Sequence, residues 1–106
     1  MTKEEKKKFT IDKTPEFDRW LTGMRNTEAK ATVLARLDRA EDGNFGDCEP
    51  VGDGISEMRV FVGPGYRIYF VRTGRTAFLM LWGSDKSDQK RGIKHARAIL
   101  ENLKGK

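Results

Sequence analysis

The hydrophobic period of this chain changes across residues 43–54, and that change most constrains what it can fold into. From Phe17 to Ala40 the apolar residues recur at helical spacing; from Ile55 to Val62 they alternate. Phe17, Trp20, Leu21 and Met24 stand at i, i+3, i+4 and i+7, the stripe of an amphipathic helix. Thr14-Pro15 starts that helix, since Thr caps and Pro suits the first helical position. Gly23 and Arg25-Asn26 break it. Asn26 is expected to cap a second helix, with Glu28 in its first turn and Val33, Leu34, Leu37 and Ala40 facing inward. Gly43 stops this helix. Ahead of both, Phe9 and Ile11 alternate with polar neighbours and read as a short strand.

Residues 43–54 (GNFGDCEPVGDG) read as an irregular, glycine-rich connection. In Ile55–Val62 the alternation puts Met58, Val60 and Val62 on one face and Glu57, Arg59 and Phe61 on the other. Gly63-Pro64-Gly65 supplies a turn, Tyr66–Arg72 the next strand, and Thr73-Gly74 a second turn. Thr76–Trp82 is apolar on both faces and belongs in the middle of a sheet. Ser84 to Ser87 lead into a last helix. It buries Ile93, Ala96, Leu100 and Leu103 and exposes Lys90, Arg91, Lys94 and Arg97. The expected order is β-α-α-β-β-β-α. This is an α+β fold, one domain over residues 1–106, with a mainly antiparallel sheet and its helices packed on one face.

Charge is distributed unevenly. Residues 1–54 hold 10 Lys and Arg against 12 Asp and Glu, and residues 55–106 hold 11 against 4, so the halves carry −2 and +7. The second half is therefore expected to face an anion: nucleic acid, a membrane surface or an acidic protein. Much of that +7 lies on the last helix, where Lys90, Arg91 and Lys94 are either RNA contacts or plain solvated surface. A single Cys48 and a single His95 leave no internal disulfide and no zinc cluster. The start MTKEEKKK has no apolar region behind it, and no run approaches the roughly 18 apolar residues of a membrane span. A cytoplasmic protein with no membrane partner is expected.

The chain contains no HExxH, GxSxG or GxxxxGK[ST] motif and no histidine pair for acid–base work. Chemistry on RNA would then be metal-independent, without a cofactor, and would use the substrate's own 2′-hydroxyl. Cations would stabilise the charge developing on phosphate. Arg59, Arg67 and Lys86 are the candidates, as a concave patch on the sheet face opposite the helices. Tyr66 is a candidate to stack on a base beside them. Either Arg67 or Tyr66 occupies that face, because a one-residue slip swaps them. A ring of neighbouring cations lowers a lysine's affinity for its proton, which makes Lys86 a candidate proton carrier. Plainer roles compete. Arg59 and Glu57 also suit a cross-strand ion pair, Trp82 the core, His95 the surface, and Asp47 and Asp53 turns; Cys48 is assigned no role.

The strings FDRWLTGMRN, GNFGD, GDGxSExR, GPGYRxYF and GxDKxxQ, spread from about Phe9 to Leu103, resemble the RelE/ParE superfamily of toxins from toxin–antitoxin systems. The subgroup most similar is that of the addiction module killer proteins, which are HigB-like. The resemblance implies a β-α-α-β-β-β core with a C-terminal helix. It implies a ribosome-dependent endoribonuclease that cuts translated mRNA and is neutralised by a cognate antitoxin, a DNA-binding protein encoded beside it. Arg67, in GYR, matches the arginine thought to stabilise the phosphate transition state. Arg59 falls at a basic strand position, and Lys86 falls where such toxins place a basic catalytic residue. Two features depart from the pattern: Glu57 stands where ribosome-dependent members often have lysine, and residues 100–106 contain no tyrosine. The ParE branch offers the alternative, a non-catalytic toxin that inhibits DNA gyrase by protein contact.

Overall fold

The structure is a computed structural model and describes residues 8–105. In chain order its elements are β1 (Thr10–Lys13), α1 (Pro15–Thr22), α2 (Thr27–Glu41), β2 (Cys48–Gly52), β3 (Ile55–Val60), β4 (Tyr66–Gly74), β5 (Ala77–Asp85) and α3 (Gln89–Lys104), with one 3-10 turn at Lys86–Asp88. The five strands form a single mixed sheet in the order β1-β5-β4-β3-β2. All neighbours are antiparallel except β1, which runs parallel to β5 at one edge. The fold is thus α+β. No helix among the described residues is long and apolar enough to cross a membrane.

The helix starts are set locally. Thr14 accepts a hydrogen bond from the Phe17 amide (3.0 Å), and its hydroxyl also donates to the Leu81 carbonyl (2.9 Å), tying the cap to the sheet. Asn26 Oδ1 accepts from the Ala29 amide at 3.0 Å. Asn26→Ala is expected to cost about 1 kcal/mol, read as a lowered urea midpoint at unchanged slope. At the far end of α2 the Asn44 amide donates to Arg39 and the Gly43 amide to Ala40. Gly43, at φ +94°, supplies the left-handed residue that this closure needs.

Three expectations are corrected. The connection after α2 is not irregular throughout: Cys48–Gly52 pairs with β3 as the outer strand of a hairpin. Its signal is weak because Pro50 and Gly52 interrupt the strand pattern, as they do at sheet edges. Leu34 is 47 % exposed rather than core, and Leu103 is 45 % exposed at the tail of α3.

The third correction matters most: the helices do not share one face. Helices α1 and α2 cover Met58, Val60, Ile68, Phe70 and Met80, using Phe17, Leu21, Val33, Leu37 and Ala40. Helix α3 covers the opposite face, packing Ala96 and Ile93 on Ile55, Tyr69, Val71 and Leu81. A strand that is apolar on both faces, as β5 is, leaves a second face to be removed from water, and only the last helix remains to do it. Gly92 lets α3 settle there. A Cβ on it would stand 2.6 Å from Ser84 Oγ and 2.9 Å from a Tyr69 ring carbon.

Candidate functional site

The sheet register decides which side chains meet. Arg59 on β3 lies directly opposite Arg67 on β4, and Arg67 lies opposite Ser84 on β5, so the three share the face that α3 covers. Glu57, Tyr69 and Trp82 form the adjacent row on that face. Two arginines directly opposite one another repel unless carboxylates intervene, and here carboxylates do.

Glu57 is 1 % exposed, although the alternation placed it on an open surface. Its carboxylate accepts from Arg67 Nη1 at 2.7 Å and from Gln89 Nε2, at the start of α3, at 2.8 Å. Arg59 instead reaches toward the hairpin, donating to Asp47 at 3.1 Å and pairing with Glu49 at 2.5 Å. The expected Arg59–Glu57 ion pair does not form. Hydrogen bonding to Asp47 and Glu49 raises the Arg59 guanidinium further above its already high range, and Arg59 in turn holds the Asp47 carboxyl below the usual carboxylate range. Burial pushes the Tyr69 phenol up to about 12, so it stays protonated beside Glu57. This face therefore carries three carboxylates against two arginines at the sheet end where a cationic patch was expected.

Tyr66 falls on the other face. It pairs with Val60 and Asp85, and its ring meets Trp20 edge-on at 6.2 Å. It takes part in the α1 side of the core and is turned away from Arg67. The register that was open in the sequence is thus settled: Arg67, not Tyr66, shares the face of Arg59.

The unpaired cations lie elsewhere. Past β5 the chain makes its 3-10 turn, with the Asp85 carboxylate accepting from the Ser87 amide and hydroxyl at 3.0 and 2.6 Å. Around this turn and the first turns of α3 is a cleft of about 600 Å³, lined by Lys86, Lys90, Arg91 and Lys94 together with Ser87, Asp88 and Gln89. Arg91 approaches Asp88 at 3.6 Å with both groups well exposed, a weak pairing. Lys86, Lys90 and Lys94 make no ion pair among the described residues. Asp88, at the N-cap of α3, makes no side-chain capping bond, so the helix's positive end opens on the same cleft. Gln89 lines the cleft on one side and holds Glu57 on the other.

The structure thus brings Lys86 together with Lys90, Arg91 and Lys94, while Arg59 and Arg67 lie nearby on the sheet and are neutralised. Gln89 and the anchoring part played by Glu57 were missed in the sequence. Their signal was a glutamate two residues after Ile55, on the same face of a strand that a helix must cover.

No family model matches the chain. An uncharacterized protein of Haemophilus influenzae is 42 % identical to it over 93 residues, which cover 88 % of this chain and 94 % of that protein. With nearly the full length of both chains aligned at that identity, this chain belongs to the same family as the Haemophilus influenzae protein.

Proposed function

We propose that this chain is the toxin of a type II toxin–antitoxin module of the RelE/ParE kind. In this reading it is a metal-independent mRNA endoribonuclease that acts on translating ribosomes in the cytoplasm and is neutralised by a cognate antitoxin. The observation that carries it is the cleft at the start of α3, where four cations face a single carboxylate. A small-molecule pocket is mostly apolar with a few polar groups, whereas a row of exposed lysines at a helix's positive end suits a phosphate chain. The element order also fits the one the resemblance implies, with β2 added. In the cleavage step the 2′-oxygen attacks the adjacent phosphorus, the bond to the 5′-oxygen breaks, and a 2′,3′-cyclic phosphate and a 5′-hydroxyl result. Lys86, two residues beyond the β5 neighbour of Arg67, is placed to offset charge on the phosphate oxygens.

Primer extension on translating ribosomes with purified protein tests the activity. New 5′ ends within coding sequence are expected, and unchanged ends with toxicity intact would remove the nuclease reading. The cleft itself is tested by the triple change Lys86→Glu, Lys90→Glu, Lys94→Glu. RNA affinity is expected to fall at least tenfold at low salt, and the slope of log affinity against log salt to flatten by roughly 2, for three lost phosphate contacts. The unfolding midpoint should hold, because all three side chains are exposed.

One observation favours a second reading, inhibition of DNA gyrase by protein contact: the arginines expected to meet the scissile phosphate are each held by carboxylates. A supercoiling assay separates the two. Gyrase inhibition without RNA cleavage would select the second. Under either reading the antitoxin's acidic segment competes for the same cleft.

A further inference from the structure

Phe61 is 76 % exposed, the most exposed of the large hydrophobic side chains among the described residues. It follows directly on β3, and Val60 before it is buried while Val62 after it packs on the α1–α2 core. The alternation therefore turns Phe61 outward on the side of Arg59. The loop that carries it is fixed rather than loose. The Gly65 amide donates to the Val62 carbonyl at 2.9 Å, and the Lys86 amide donates to the Gly65 carbonyl at 2.8 Å. Gly65 sits at φ +92°, and the Lys86 side chain lies across it, 3.3 Å from where a Cβ would stand. Phe61 cannot fold back onto the core without undoing that turn. Lys86, which packs against this turn, also lines the cationic cleft, so the loop that carries Phe61 borders that cleft.

We infer that Phe61 is a stacking platform for an unpaired base of a single-stranded RNA whose phosphates lie along Lys86, Lys90 and Lys94. This deepens the proposed function and rests on its cleft. An exposed aromatic beside a basic groove is how single strands are held without sequence reading: the groove takes the backbone, and the ring takes a base face. Lys86, packed against this loop and in no ion pair among the described residues, favours this occupant over an apolar protein segment.

The test compares two polyanions by fluorescence anisotropy: a labelled single-stranded purine RNA, and inorganic polyphosphate of similar length as competitor, which has charge but no bases. Phe61→Ala is expected to weaken RNA binding roughly tenfold and leave polyphosphate competition unchanged, while Phe61→Trp retains RNA affinity and shows indole quenching on binding. If wild-type protein binds neither polyanion, the cleft reading falls and this inference with it. If wild type binds both and Phe61→Ala binds RNA equally well, stacking is overturned while the cleft stands. Unchanged RNA binding with loss of a dimer peak on a sizing column would assign the ring to a contact between two copies of the chain, which also overturns it.

Discussion

Replacing Glu57 by alanine is expected to lower the stability of this protein by about 3–5 kcal/mol. The carboxylate is 1 % exposed and is the counter-charge for Arg67, whose side chain is 16 % exposed. Its removal strands a largely buried guanidinium and the amide of Gln89, and leaves a void beneath α3. Urea unfolding should show the loss as a lower midpoint at unchanged slope. A change below about 1 kcal/mol would mean that water screens the pair more than the burial implies. Glu57→Gln keeps an acceptor oxygen for one partner but sets an amide NH2 against the other donor and loses the charge, so it should fall between wild type and Glu57→Ala. The same pair complicates any test of Arg67 as a phosphate ligand. Arg67→Ala leaves the Glu57 carboxylate buried and unmatched, so lost toxicity could reflect lost folding. A double-mutant cycle on Glu57 and Arg67, scored for both stability and toxicity, separates the two effects.

The second large effect is expected at Gly92. Alanine in a helix interior is ordinarily favoured over glycine by about 1 kcal/mol. Here a Cβ would stand 2.6 Å from Ser84 Oγ and 2.9 Å from the Tyr69 ring, both buried and fixed in the sheet. The clash outweighs the propensity gain, because overpacking of this kind costs about 1–3 kcal/mol. Gly92→Leu adds three more heavy atoms with nowhere to go, and a loss near the upper end, about 3 kcal/mol, is expected. For a domain of this length that is a fall in Tm of roughly 12–20 °C. Ala98→Leu, on the exposed side of the same helix, should leave Tm within a degree or two and serves as the control. Because Gln89 both starts α3 and lines the cleft, Gly92→Leu should also weaken RNA binding, whereas Ala98→Leu should not.

Much of the fold was legible in the chain. The Thr14 and Asn26 caps, the Gly43 stop and the stripe Phe17, Trp20, Leu21 are local signals that act over a single helical turn. The two tight turns and the alternation of Met58 and Val60 placed the meander. Strand β2 was not legible, because a five-residue edge strand containing Pro50 and a terminal glycine carries little pattern of its own and exists through pairing with β3. At the candidate site, the sequence named Lys86, Lys90, Arg91 and Lys94, which the structure brings around one cleft. It grouped Lys86 with Arg59 and Arg67, whereas the structure groups Lys86 with Lys90, Arg91 and Lys94 and pairs the two arginines with carboxylates.

By itself, then, the sequence determined the caps, the helical and alternating segments, and the excess of positive charge after residue 55. The tertiary structure alone decided which charges remain free. Alternation tells which residues share a strand face, but not which helix covers that face. Once α3 closes over it, Glu57 is taken from water and must find Arg67 and Gln89. The hairpin brings Asp47 and Glu49 alongside Arg59 in the same way. Among the described residues, the lysines around the start of α3 meet no such carboxylates. They stay solvated and unpaired, and the candidate site lies there because of it.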